Sequence, residues 1–557
     1  MVKKLEKPFR KGRGQSNHIQ ADVIILGCSL PGIVTAHKLK RKFGNTMDIV
    51  VLDMAETSRL VSKCNVAFFT DHDDDAESDN PETGIDDDED DDEAKVTDNV
   101  ARHYITKYAR DLNIPIPEAI IEPVRMKSPL NKLFQHTNGS TVEFSKDFHN
   151  FDYLGFIEKF ELNQYQSLLD HSMRDMFHTR EATDADRKKL LYYDQTTMEQ
   201  HLCSALIFST SRDIMRTTVR VVCGAPADSI SVLFYLHQCY RTNSCRNHLD
   251  GDNTRFREKL LGYCRKRLTN QLQRSIADII LSSNPIKEIS TYSDELVILK
   301  TMKGGTNYVC NLLAMALRPD ELHKIRVEDQ LLARKDADIT SAMRPGRAKK
   351  FVVQYENNFW EAQGYSGDIL SIRGPIIWAM ERPKFSTTGS LSRYATLTGY
   401  IMVRDKADAD DSRVAVLEQL VKLFGEEAAS PVSYTETDIA DIFVPRCGDY
   451  VALRKLTGQV TRRYLEWGAL DVFAEGDVAA ALEAGHTTYL HLLSCLRPQA
   501  QTYEDLSSSE WPITLSASPL ERWFSQINYK SSMRFAFYTT VIYLGVKLVQ
   551  SYMRKSG

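Results

Sequence analysis

The sequence of 557 residues lacks the hallmarks of several large protein classes. Its 27 glycines and 18 prolines are too few for a collagen-like chain, and 42% hydrophobic with 26% charged residues is an ordinary globular composition. The basic N-terminal segment contains no apolar core of the kind that a signal peptide requires. We therefore predict a basic arm over residues 1–19 and a globular body made in the cytosol.

Cysteine spacing gives no sign of a metal centre. The ten cysteines form no Cys-X-X-Cys pair and show no cysteine–histidine spacing typical of zinc sites. We expect no metal and mostly buried thiols in a reducing compartment. Nucleic acid is not expected as a partner either, because the basic arm is short and carries a single aromatic residue.

Acidic residues are concentrated in one segment. Asp or Glu occupies 15 of the 23 positions from Asp71 to Glu93, with no Lys or Arg among them. Since the whole chain has a formal charge of −5, the remainder is basic, at about +10. The segment cannot bury enough apolar surface to order itself, so we predict a disordered loop over 71–95. It is either a tolerated insertion or a docking patch for a basic protein partner.

Two apolar runs near the start of the chain flank a stretch with helical spacing. The runs are Ala21–Leu26 and 48–52, and the helical stretch covers 33–43. Continuous apolar runs are typical of parallel strands that are buried on both faces. This order predicts a strand–helix–strand unit of the dinucleotide-binding type.

The turn of this unit keeps part of a phosphate-binding pattern. Gly27 and Gly32 occupy the first and third positions of Gly-X-Gly-X-X-Gly, whereas Ser29 occupies the middle one, next to Cys28. Asp53 follows Gly32 by 21 residues, close to the spacing of about 20 for a ribose-binding acid. The pattern predicts a nucleotide site or, alternatively, a packing motif without nucleotide.

Several later segments resemble, in the same order, those of a known family. They are 257–272, the strand–turn–strand 298–316, 323–326, the FW…GYSG stretch 351–367, 417–427 and 467–485. Together with the opening unit they resemble the flavin-containing amine oxidases, most of all the membrane-anchored monoamine oxidases. The resemblance implies an α/β fold, with a Rossmann-like FAD/NAD(P)-binding domain interleaved with an α+β substrate domain, plus a single C-terminal helix.

The resemblance also implies how the chain is divided. The expected parts are the arm 1–19, a dinucleotide-type domain 20–150, a helical substrate part 151–290, strands of both domains 291–440, a final flavin-type segment 441–497, a linker 498–533 and a C-terminal anchor 534–557.

The implied cofactor is FAD. By resemblance, Gly27, Cys28, Ser29, Gly32, Asp53 and Gly468 would bind it, and Lys324 would be the lysine that faces the flavin in catalysis. Three departures from the family pattern lie along this ligand. Ser29 adds a Cβ to the turn, Met54–Leu60 has no glycine pair beside Arg59, and Tyr263 replaces a second glycine.

The amine pocket departs from the family as well. Asp477 stands where one of two substrate-flanking tyrosines is expected, and Tyr450 is a candidate for the other. Cys447 lies near the position of the family's flavin-linked cysteine, but we interpret it as a plain buried thiol. We therefore expect weak or absent FAD binding and a binding or scaffold role. The alternatives are an active FAD-dependent amine oxidase and, less favoured, an oxidase of prenylcysteine-type thioethers.

The C-terminal segment 535–553 is largely apolar and has basic flanks. A span needs about 20 apolar residues, and a lysine near one end can reach the interface. The alternatives are an amphipathic helix packed on the body and a membrane span, and the resemblance favours the span. We expect a tail anchor that leaves the body facing the cytosol, at the mitochondrial outer membrane or, second, the endoplasmic reticulum. No motif predicts an oligomeric state.

Overall fold

The computed structural model describes the globular body with several gaps. The described residues are 17–54, 100–116, 130–178, 184–241, 245–249, 251–281, 284–292, 296–302, 306–317, 319–346, 348–382, 394–402, 412–439, 443–457, 464–466, 478–502 and 505. The predicted acidic loop, the predicted tail anchor, Arg59, Gly468 and Asp477 lie outside these ranges.

The described strands and helices alternate along the chain. The strands are β1 (Asn17–Leu26), β2 (Ile49–Leu52), β3 (Asn131–Gln135), β4 (Thr141–Phe144), β5 (Ile280–Leu281), β6 (Ile286–Tyr292), β7 (Leu296–Thr301), β8 (Thr306–Met315), β9 (Arg326–Val327), β10 (Met343–Pro345), β11 (Ala348–Tyr355), β12 (Tyr365–Ser371), β13 (Ile376–Glu381), β14 (Ala395–Ile401), β15 (Ser433–Ile439), β16 (Phe443–Pro445) and β17 (Tyr464–Glu466). The helices are α1 (Leu30–Phe43), α2 (Val100–Asp111), α3 (Phe156–His178), α4 (Asp184–Gln195), α5 (Met198–Ala205), α6 (Ser209–Cys223), α7 (Val232–Arg241), α8 (Gly251–Ile276), α9 (Pro319–Leu322), α10 (Gln330–Ala342), α11 (Phe359–Ala362), α12 (Ser412–Phe424), α13 (Tyr450–Thr457) and α14 (Val478–Leu496).

The first sheet has the strand order β5-β2-β1-β8-β7-β6-β9, and β17 also pairs with β8. Strand β1 pairs in parallel with both β2 and β8. Its side chains alternate between two apolar clusters: Val23 and Ile25 join one, and Ile24 and Leu26 join the other. Burial on both faces is why this strand reads as a continuous apolar run.

Helices cover one face of this sheet. Side chains of α1, α2, α8 and α14 form one cluster with β1 and β2. The predicted strand–helix–strand unit is confirmed, and the predicted helix 477–496 corresponds to α14. The expected glycine-pair turn at Gly262 and Tyr263 is wrong, because both residues lie inside the continuous helix α8.

The second sheet has the order β15-β11-β14-β13-β12-β3-β4 and is mostly antiparallel. One face packs on α12, as in the contacts of Phe351 and Leu420. The other face packs on a helical subdomain formed by α3–α7, through residues such as Trp378 and Tyr400. The mixed α/β fold that the resemblance implies is therefore confirmed.

No helix in the described ranges is both long and apolar enough to cross a bilayer. The segment for which we predict a membrane span, 535–553, is not among those ranges. The division of the chain into domains likewise stays a prediction.

Candidate functional site

The turn between β1 and α1 requires glycine because neighbouring backbone lies very close. A Cβ on Gly27, whose φ is +109°, would lie 2.3 Å from the carbonyl oxygen of Ala316. A Cβ on Gly32 would lie 2.6 Å from the Gly27 oxygen and 2.8 Å from the Ala316 Cβ. Such a turn brings the start of a helix close to the carboxyl ends of β1 and β8, where dinucleotides bind in this type of fold.

Ser29 caps α1 by backbone conformation only. Its φ of −65° and ψ of 159° are extended, and its side chain makes no capping hydrogen bond to the helix. Instead its hydroxyl donates to the carbonyl oxygen of Ala316 at 3.0 Å. The hydroxyl is thus directed to the β8 side of the turn. The first amides of a helix have no partner within the helix, so this end of α1 offers donors to an anion.

Asp53 lies directly after β2, at the same edge of the sheet. The residue is 6% exposed, and its backbone amide bonds to the Leu281 carbonyl at 3.0 Å. Cys28 is close enough for the two side chains to interact electrostatically. Burial, and then the charge of Asp53, raise the pKa of the Cys28 thiol to about 12. The structure therefore brings Gly27, Cys28, Ser29 and Asp53 together, as the sequence predicted.

Tyr263 does not occupy a turn of the kind that the sequence suggested. It lies on α8, and its hydroxyl donates to the Pro115 carbonyl at 2.9 Å. The guanidinium of Arg267 lies 4.1 Å from the ring centre. Tyr263 thus connects α8 to the segment after α2, and this contact is no evidence that its ring obstructs a phosphate site.

Lys324 and Gly468 are not brought to this turn by the described structure. Lys324 is exposed in the turn between α9 and β9, where its amide bonds to the Glu321 carbonyl at 3.1 Å. That environment is typical of a solvated surface lysine. Gly468 lies outside the described residues, so its assignment to the flavin stays a prediction.

A buried lysine that the sequence analysis missed lies on the second sheet. Lys350 on β11 is 7% exposed and pairs with Tyr400 on β14, which in turn pairs with Trp378 on β13. Directly paired residues share a sheet face. The rings of Trp378 and Tyr400 are stacked, with centres 6.0 Å apart. These three side chains form a row, which we call the lysine–aromatic row, on the face toward the helical subdomain. The signal in the sequence was a lysine inside an alternating strand pattern, at the residue before Phe351.

Tyr450 lies at the start of α13 beneath the helical subdomain. The residue is 1% exposed, and its ring centre is 5.4 Å from that of Phe234 and 5.7 Å from that of His237. Its hydroxyl accepts a hydrogen bond from Arg454 Nη1 at 3.2 Å. The position is aromatic and dry, as the resemblance implies for a substrate pocket.

Asp194 holds the segment that precedes Tyr450. Its carboxylate accepts the amides of Tyr450 and Val451 at 3.2 and 3.1 Å, which caps α13 from outside that helix. Its carbonyl accepts the Cys447 thiol at 3.3 Å. Burial raises the pKa of both the Asp194 carboxyl and the Cys447 thiol. Cys447 is therefore a partly buried, hydrogen-bonded thiol.

The fold and these sites define a dinucleotide-binding α/β protein with a second sheet and a helical subdomain. Residues 105–454 match the model of the flavin containing amine oxidoreductases, and the chain belongs to that family. The match begins after the β1–α1–β2 unit, so the glycine turn is additional evidence. Membership implies a flavin cofactor, FAD.

Known proteins support the same family. The "Probable flavin-containing monoamine oxidase A" of Dictyostelium discoideum is 24% identical over 250 residues, 44% of this chain and 53% of that protein. The chain spans about half the length of the curated relatives it matches.

Solved amine oxidases share the fold. A wild-type putrescine oxidase bound to putrescine superposes with a TM-score of 0.63 at 14% identity, covering 86% of this chain and 100% of that one. Cyclohexylamine oxidase from Brevibacterium oxydans gives 0.59 at 18% identity, covering 85% and 99%.

Proposed function

We propose that the chain binds FAD and oxidises an amine. The observation that carries the proposal is the position of the Ser29 hydroxyl, which is bonded to Ala316 and so leaves the α1 amides to a diphosphate. The tight glycine turn and the buried Asp53 fit the rest of the adenosine diphosphate half of FAD. Gly27, Cys28, Ser29 and Gly32 would contact the diphosphate, and Asp53 would accept from a ribose hydroxyl.

The lysine–aromatic row supports the amine side of the proposal. When bound, the flavin accepts the electrons of the C–N oxidation, and the protein supplies binding, orientation and a dry pocket. Lys350 meets the need for a buried lysine better than the exposed Lys324 does. The stacked rings of Trp378 and Tyr400 exclude water from the same face.

The test is the flavin content of the purified full-length chain. We expect the yellow flavin absorption, and release of FAD on denaturation at about one per chain. Asp53→Asn should lower the FAD affinity about tenfold or more, because one charged acceptor is lost. The matched control is Asp278→Asn, since that carboxylate pairs with Lys40 near the surface of the same domain. A colourless, folded chain that no added FAD converts would overturn the proposal.

The second candidate is a family member with weak or lost oxidase activity that acts as a binding or scaffold protein. The sequence favours it at 54–60, where no glycine pair follows Asp53, and at Asp477. Amine turnover measured on FAD-loaded protein separates the two candidates. Stoichiometric FAD without peroxide production from any primary amine tested would favour the second.

We further propose that segment 535–553 anchors the body to a cytosol-facing membrane, with the mitochondrial outer membrane favoured and the endoplasmic reticulum second. The proposal rests on the apolar composition and basic flanks of the segment. Removing 535–557 should move the protein from the membrane fraction to the supernatant. Unchanged fractionation of the truncated chain would contradict it.

We also propose that the acidic segment 71–93 binds a basic protein partner. Its 15 acidic side chains, without a single Lys or Arg, carry the proposal. Binding of a polylysine probe should weaken strongly when the segment is replaced by a neutral Gly/Ser linker of equal length. Equal binding by both forms would contradict it.

A further inference from the structure

Two cysteines inside the helical subdomain lie against each other. Cys239 is in the last turn of α7, and Cys245 follows in the segment after that helix. Both are fully buried and have free thiols. The Cys239 thiol is hydrogen-bonded to Cys245 and also to His248 and Tyr235. The catalytic proposal above uses none of these four side chains.

The surroundings make the two sulfurs chemically different. Burial by itself would raise the pKa of the Cys239 thiol, but hydrogen bonds from Cys245 and His248, with the charge of His248, lower it to about 6. Burial and the hydrogen bond to Cys239 raise the pKa of Cys245. A thiolate beside a protonated thiol is the arrangement from which disulfides form.

Asp170 fixes the position of the second sulfur. Its carboxylate accepts the Cys245 amide at 2.7 Å and pairs with Arg246 Nε at 2.9 Å. The same segment touches the second sheet, because the Leu249 carbonyl accepts the Trp378 indole at 3.0 Å. The cysteine pair is thus held between α3, α7 and the lysine–aromatic row.

We propose that Cys239 and Cys245 form a peroxide-responsive disulfide site, with Cys239 as the nucleophile and Cys245 as the resolving thiol. The Cys239 thiolate attacks one peroxide oxygen, so that an S–O bond forms, the O–O bond breaks and hydroxide leaves, protonated through His248. The Cys245 sulfur then attacks the sulfenic sulfur, forming the S–S bond and releasing water. Two thiols and one hydrogen peroxide yield one disulfide and two waters.

A metal centre is the competing use of such a cluster. Among the residues that the structure describes, no group of three or more His, Cys, Asp or Glu side chains could hold a metal ion. We therefore favour the redox pair, and zinc becomes an outcome of the test.

The test uses the reduced full-length chain, treated with hydrogen peroxide, blocked with iodoacetamide and digested with trypsin. Cleavage after Arg241 and Arg246 releases residues 242–246, which contain Cys245. We expect the alkylated free peptide to fall at least tenfold and to appear linked to peptide 221–241, with dithiothreitol reversing the change.

Matched variants identify the partner, because peptide 221–241 also contains Cys223. The link should persist in Cys223→Ser and vanish in Cys239→Ser. His248→Gln should slow its formation at pH 7 about fivefold and move the midpoint of the rate profile to higher pH. Since Cys203 and Cys495 are exposed, they serve as internal controls for general oxidation.

Three results would overturn the proposal. The first is an unlinked, alkylated 242–246 peptide in chains whose Cys203 and Cys495 are oxidised. The second is a link that survives Cys239→Ser. The third is one zinc per chain that protects both thiols from iodoacetamide until a chelator removes it.

Discussion

The β1–α1 turn and the lysine–aromatic row are built in opposite ways. The turn is made by backbone that only glycine allows, with the two positions five residues apart in the chain. The row is made by side chains from β11, β13 and β14, which are joined only by strand pairing. A local backbone requirement leaves a motif in the sequence, whereas a row across strands does not. The following four predictions test this contrast.

The largest expected effect is at Gly27. Gly27→Ala puts a Cβ 2.3 Å from the Ala316 oxygen at a φ of +109°, so we expect a loss of about 4 kcal/mol in the free energy of unfolding. The matched control is Gly44→Ala, because Gly44 also has a positive φ, +54°, but nothing lies within 4 Å of its Cβ position. The control should lose about 1 kcal/mol. Equal losses, measured by urea unfolding, would show that the turn is not tight.

A buried histidine in the helix layer behind the turn should make stability depend on pH. Burial, and then nearby Lys38 and Arg41, lower the pKa of His37 to about 4, while its Nδ1 lies 2.7 Å from Ser275 Oγ. The unfolded chain, with a histidine pKa of about 6.5, takes up this proton first. The stabilisation is therefore complete above about pH 6.5 and is lost as the pH falls toward 4, by about 2 kcal/mol.

His37→Gln removes this group and should flatten the pH dependence by that amount. The measurement is urea unfolding of both chains between pH 7.5 and pH 4.5. A variant whose stability falls as steeply as that of the parent chain would contradict the assignment.

The connection beneath the helical subdomain should show a smaller effect. Asp194→Asn keeps one acceptor for the two amides at the start of α13 and loses the charge, so we expect a loss of about 1.5 kcal/mol. Asp449→Asn is the control, since Asp449 uses its carbonyl, which bonds to the Leu453 amide. If both variants unfold at the same denaturant concentration, the cap at Tyr450 carries no stability.

The smallest expected effect is at Ser29. Because its hydroxyl bonds to Ala316, Ser29→Gly should change the FAD affinity less than about threefold and the stability by about 0.5 kcal/mol. If serine instead crowds the diphosphate, glycine should raise the affinity strongly. A fluorescence titration of the apoprotein with FAD measures this, and a gain of tenfold or more would restore the crowding hypothesis.

Sequence reasoning succeeded where one element explains its own pattern. The apolar run of β1, the helix after it and the acid after β2 were all predicted, because a strand buried on both faces and a tight turn constrain nearby residues. It failed at Tyr263, where a single glycine suggested a turn inside a helix of 26 residues. It also failed to single out Lys350, because burial of a lysine depends on strands that arrive later in the chain.

By itself the sequence determined the dinucleotide-type unit, the acidic composition of 71–93 and the order of segments typical of the amine oxidase family. Only the tertiary structure decided that Ser29 bonds to Ala316, that Lys350 is buried beside Tyr400 and that Cys239 meets Cys245. The physical reason is range. Backbone conformation and strand burial are set by neighbours along the chain, but the direction of a hydroxyl or the contact of a thiol depends on which distant element packs against it.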